Sequence, residues 1–214
     1  MPVRFVRLSI IMLACAALCG GCAVGGAWQA IFGPNKIKAK YVPPKVPTLV
    51  LVENYRNPAV SQIDADLVAS ELCDQLKQNN VVPLVDPDKL TGVRDMDDAK
   101  YHAMSQVELG RAVGAKQVIY VELLESSVEA DASAEAARGR VSAEVRVVDV
   151  DSGLTLWPLD EAQGYPLSAD VPYNRADPDR VTAMHAQMLA QLSDAVAKLF
   201  YSWQPDTSKE AQGN

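Results

Sequence analysis

The apolar residues of this chain change rhythm as the sequence runs. Thr48 to Val52 is a continuous apolar run, as in a strand buried on both faces. Ser61 followed by Asp64 is a helix start of the capping-box type, with Asp in place of Glu. Ile63, Leu67, Leu72 and Leu76 then mark one face of a helix to about Gln78, stopped by Asn79-Asn80. Val81 to Val85 reads as a second strand, placed at an edge by Pro83. Asp86-Pro87-Asp88 reads as a turn. Ser105 with Glu108 opens another helix, which Gly114 closes, and Lys116 to Leu124 is a third strand. Strand, helix, strand, helix, strand implies parallel crossovers.

The period then drops to two. From Val128 to Ala136 apolar and polar residues alternate, and alternation resumes at Val141, Ala143, Val145 and Val147. The intervening Arg138-Gly139 is the expected turn of a hairpin spanning 126–149. That register pairs Ala132 with Val145 and Asp131 with Arg146, joining opposite charges on the outer face. Asp151-Ser152-Gly153 turns into a strand from Leu154 to Pro158, and 164–167 adds an edge piece. Pro178 after Asp177 starts a last helix, traced by Val181, Met184, Met188, Leu192, Ala195, Val196 and Leu199. The expected fold is α/β: one mixed sheet with packing helices, β-α-β-α-β, then an antiparallel hairpin or meander and a long C-terminal helix.

The first 21 residues change the picture of where this domain works. A basic start at Arg4 and Arg7 precedes an apolar run of 12 residues, Leu8 to Cys19, and then Gly20-Gly21-Cys22. This is the layout of a secretory signal peptide, and the run is too short to span a membrane. Cysteine directly after the small residues makes it resemble a bacterial lipoprotein signal, which assigns lipidation to Cys22. Cys15 is a second candidate, and an ordinary signal peptide is the plain alternative. The chain then divides into a signal peptide (1–21), a lipidated flexible basic tether (22–47), the α/β domain (48–203) and a disordered polar tail (204–214). Lys36, Lys38, Lys40 and Lys45 make the tether basic, suited to lie on an anionic membrane or to serve as a spacer. Fully extended it spans up to ~80 Å.

Charge and composition narrow the chemistry. Arg4 and Arg7 are the only charges of the leader, so cleavage moves the formal net charge from −7 to −9. Such an acidic domain does not suit nucleic acid, which selects a basic surface. With Cys15 and Cys19 removed and Cys22 acylated, Cys73 stands alone and no internal disulfide forms; it reads as a small buried hydrophobe. No phosphate-cradling loop, nucleophile elbow or His-Glu-x-x-His pair is present, so no cofactor, metal or catalytic residue is assigned. His102 falls in a polar loop and His185 on the last helix, with no spacing that brings them together. Asp149-x-Asp151-x-Gly153 has part of a calcium loop but lacks its closing ligands, and reads as a hairpin turn. Asp95, Asp97 and Asp98 read as a solvated turn or helix start.

Leu109-Gly110-Arg111-Ala112-Val113-Gly114-Ala115-Lys116-Gln117-Val118-Ile119-Tyr120-Val121 resembles the helix, glycine and strand of a group of bacterial envelope lipoproteins. The group holds the LpoB-type activators of penicillin-binding proteins, the CsgG-type secretion lipoproteins and the N-terminal domain of TolB. Val145 to Gly153 is similar to its strand-turn motif, and the likeness extends over about 48–200. The resemblance implies a non-catalytic docking module, anchored by lipid in the outer membrane and facing the periplasm. Its partner would be an envelope protein, with peptidoglycan synthesis in view. The alternative is a subunit of a CsgG-like homo-oligomer. The alanine-rich face of the hairpin lacks the aromatic girdles of a membrane barrel, which counts against a pore.

Overall fold

β1 (Thr48–Glu53) lies parallel to β2 (Gln117–Ala130), and β2 turns back antiparallel into β3 (Ala136–Asp149). The computed structural model describes residues 36–130, 136–174 and 178–205. β4 (Thr155–Trp157) and β5 (Tyr165–Asn174) both pair with β3 along its outer edge, completing a five-stranded mixed sheet. Five helices accompany it among the described residues: α1 (Gln62–Gln78), α2 (Pro87–Met96), α3 (Asp98–Ala103), α4 (Gln106–Ala112) and α5 (Pro178–Lys198).

The sheet is covered on two faces by two separate cores. Val50 and Val52 of β1, with Ile119, Val121 and Leu123 of β2 and Val141 to Val147 of β3, bury against α1 and α5. The alternate residues, Leu49, Leu51, Val118 and Tyr120, pack under Tyr101 of α3 and Leu109 and Val113 around α4. Gly110 makes that second contact close: a Cβ there would stand 2.8 Å from Val150 Cγ2 and 2.9 Å from Val118 Cγ2.

Several sequence expectations hold. Ser61 caps α1, Ser105 and Glu108 form a full capping box, and Gly114 ends α4 at φ +78°. The last helix buries Met184, Met188, Leu192 and Val196 as its spacing requires, and Leu199 is buried just past its end. Others shift. Val81–Val85 makes one parallel bridge, Thr48 to Leu84, rather than a strand; Val85 N–H donates to Thr48 O. Asp86-Pro87-Asp88 is the start of α2, with Asp86 as its cap. On α1 the buried face is Asp64, Ala65, Val68, Leu72 and Leu76, leaving Ile63 and Leu67 exposed. Residues 39–47, expected within the tether, run along the domain: Tyr41 N–H donates to Leu199 O, and Pro44 O accepts from Gln117 Nε2.

The hairpin forms, but its register differs. Val128 pairs with Gly139, Val121 with Val145 and Tyr120 with Arg146, so Arg138-Gly139 lies inside β3 and is not the turn. Asp131 and Ala132, expected opposite Arg146 and Val145, lie outside the described residues. Gly139 is there because α5 passes close: its Cβ would stand 3.1 Å from Met188 Sδ.

Residues 39–201 form one compact unit. In a second unit, Ile37 and Trp203 exchange backbone hydrogen bonds. No helix among the described residues is long and apolar enough to cross a membrane.

Candidate functional site

The helical cover of the second sheet face stops short of the carboxyl end of β1. A cleft of about 550 Å³ opens there, lined by Glu53, Asn54 and Tyr55, by Gln62 of α1, and by Arg94, Tyr101, His102 and Tyr120. The chain leaves β1 for α1 on one face and leaves the 81–85 bridge segment for α2 on the other. A crevice at such a divergence is where open α/β sheets hold what they bind.

Charge is dense around it. Arg56, on the loop after β1, bonds Glu122 of β2 through Nε at 3.1 Å, Glu144 of β3, and Gln163 at 2.6 Å. This clamp joins the loop after β1 to two strands and a turn. Burial, with the Glu122 charge adding to it, raises the Glu53 carboxyl above the ordinary carboxylate range, although a Tyr120 hydrogen bond opposes the shift. Burial and the Glu53 and Glu122 charges push the Tyr120 phenol up as well. Arg94 lies over the Tyr101 ring, 4.9 Å from its centroid, and its Nε is buried without a hydrogen-bond partner.

On the opposite face, Asp64, Ser126 and His185 meet. Ser126 Oγ donates to Asp64 Oδ2 at 2.6 Å, and His185 Nε2 stands 3.1 Å from each. A β-bulge brings Ser126 there: the ladder slips between Leu123 and Glu125, turning Ser126 toward the helices. Asn57 Nδ2 donates to Leu124 O in the slip, at 2.7 Å. In a nucleophilic triad the hydroxyl and the carboxylate sit on different ring nitrogens. Here both face the same nitrogen and the carboxylate holds the hydroxyl proton, so the cluster is a clamp between α1, β2 and α5.

The sequence-derived candidates fall as follows. Cys22 and Cys15 lie outside the described residues. Cys73 is half-buried, its thiol pushed up to about 11, chiefly by burial. His102 lies on α3, not in a loop, and pairs with Asp98 at 3.4 Å on the exposed surface. Asp97 caps α3. The two histidines sit on helices of opposite sheet faces, and each meets one carboxylate. Asp149 closes the expected turn, accepting from Ser152 N–H at 2.7 Å and Ser152 Oγ at 2.6 Å, which holds its carboxyl below the usual range. Among the described residues no three His, Cys, Asp or Glu side chains are set to hold a metal ion. Sequence reading missed Glu53 and Arg94 as residues of one cleft because two helices' worth of chain separates them. The only signal was a carboxylate ending an apolar strand.

A family model described as peptidoglycan-synthase activator LpoB matches residues 29–162. Among solved structures, the chain is similar to lipoprotein GNA1162 from Neisseria meningitidis, at 15% identity, TM-score 0.43, covering 69% of this chain and 99% of that one. It is also similar to the PelC dodecamer subunit from Paraburkholderia phytofirmans, at 12% identity, TM-score 0.42, covering 78% and 96%. Protein XCC0632 from Xanthomonas campestris gives 8% identity, TM-score 0.45, covering 77% and 87%. No curated protein matches the chain. With more than half of its length under the family match, the chain belongs to the LpoB family of peptidoglycan-synthase activators.

Proposed function

We propose that this protein is a lipid-anchored accessory module of the outer membrane that docks, from the periplasmic side, onto a peptidoglycan synthase and activates it without catalysis of its own. The family match over residues 29–162 carries this reading. Two features support it. The one Ser–His–carboxylate cluster among the described residues ties its hydroxyl proton to Asp64. The leader ending in Gly20-Gly21-Cys22 supplies the anchor, with Cys22 as the lipidated residue after removal of 1–21. Anchoring confines the domain near its partner and raises effective concentration, so a modest interface suffices.

Crosslinking of the full chain in intact cells, followed by mass spectrometry, tests the reading. A peptidoglycan synthase is the expected product. A ladder of self-crosslinks with no other protein would overturn docking in favour of an oligomeric assembly. Replacing Cys22→Ser should leave an unprocessed precursor; an efficiently cut, soluble product would refute the anchor.

A further inference from the structure

We infer that the cleft beyond β1 is the docking surface itself, and that it takes a partner segment carrying a basic side chain, which pairs with Glu53. This rests on the docking reading proposed above. Three observations lead to it. First, Glu53 has no cation within ion-pair distance among the described residues: Arg94 and His102 act on it only from beyond that distance, and Arg56 is held by Glu122 and Glu144. The cleft lining carries Glu53, Asp98 and Glu108 against one arginine, Arg94, so it presents negative charge.

Second, the lining carries a large aromatic side chain with little internal role: Tyr55 is 81% exposed. An exposed tyrosine beside a recessed polar centre is the kind of side chain that protein interfaces favour. Third, Glu53 itself is half-buried at the end of β1. A half-buried carboxylate raised by desolvation is a poor tenant of a free surface and gains most from a partner's ammonium or guanidinium.

The test places a photo-crosslinking amino acid at Tyr55 or at Leu154 in the full-length lipoprotein in cells. Leu154 is 67% exposed in the turn after β3, at the opposite end of the strands. The expected result is capture of the partner from Tyr55 and not from Leu154. The captured peptide should contain Lys or Arg within a few residues of the crosslink. Glu53→Gln should lower the Tyr55 yield about tenfold, with no loss of melting temperature. Capture from Leu154 alone, a captured segment without basic residues, or an undiminished yield in Glu53→Gln would overturn this inference and leave docking standing. Capture of nothing from either position would sink both.

Discussion

Two glycines in two helices of the same sheet face should respond oppositely to the same change. Gly92 lies within α2, where an added methyl would have nothing within 4 Å, while a methyl at Gly110 would meet Val150 and Val118 below 3.0 Å. Alanine favours a helix over glycine by about 1 kcal/mol at either site. At Gly92 nothing offsets that gain, so Gly92→Ala should raise the melting temperature by about 2–4 °C for a domain of this size. At Gly110 the methyl meets two β-branched side chains, which are stiff at χ1 and cannot swing aside. Overpacking of that kind costs up to about 3 kcal/mol, leaving a net loss of about 2 kcal/mol after the helix gain. Gly110→Ala should therefore melt about 4–8 °C lower. Thermal unfolding by circular dichroism reads both. Adding Val150→Ala to Gly110→Ala should restore part of the loss, a non-additivity expected of touching residues. If Gly110→Ala melts at or above the parent, α4 does not rest on the sheet as closely as described.

Glu53 gives a pH-dependent effect whose sign follows from its raised carboxyl. The folded state holds that proton more tightly than the unfolded chain, so the contribution is full below the ordinary carboxylate value and lost as pH rises through the folded one. Glu53→Gln should thus stabilise the domain at pH 7 and make no difference near pH 3, read by urea unfolding; a loss at pH 7 contradicts the burial argument. His185→Ala leaves buried Asp64 with Ser126 as its remaining partner and should cost about 1–2 kcal/mol in the same assay. Asp64→Leu with His185→Leu should recover most of that; a cost below about 0.5 kcal/mol for the single change refutes the clamp. Cys73, with its thiol near 11, should be alkylated slowly at pH 8 and faster by about tenfold per pH unit up to that value, with denaturant removing the delay. Rapid labelling of the folded domain at pH 8 would contradict its burial.

Local signals were legible where the local chain decides the outcome. Ser105 with Glu108, Gly114 at positive φ and the methionine-leucine stripe of α5 all act within a few residues of themselves. Long-range packing was not legible. Ile63 and Leu67 fit a helical stripe, but tertiary contact selects a face centred between Val68 and Leu72 that admits Asp64, because Ser126 and His185 are there to receive it. Arg138-Gly139 has the chemistry of a turn, yet its glycine serves the approach of Met188 from a distant helix. The cleft was invisible for the same reason: Glu53, Arg94 and Tyr120 become neighbours only through the crossover.

The slip between Leu123 and Glu125 has a genetic consequence. It is a phase marker in the reading of the strand: every residue after it occupies the face its parity would otherwise forbid. Losing the single codon for Leu124 would leave Leu123, Glu125 and Ser126 opposite Ala143, Ser142 and Val141 in unbroken alternation, so Ser126 would still face Asp64. A one-residue loss elsewhere in β2 would instead send every residue beyond it to the opposite face. The slip is therefore the one place where this strand can shed a residue and keep both of its faces, and relatives shorter by one residue here should retain the same core.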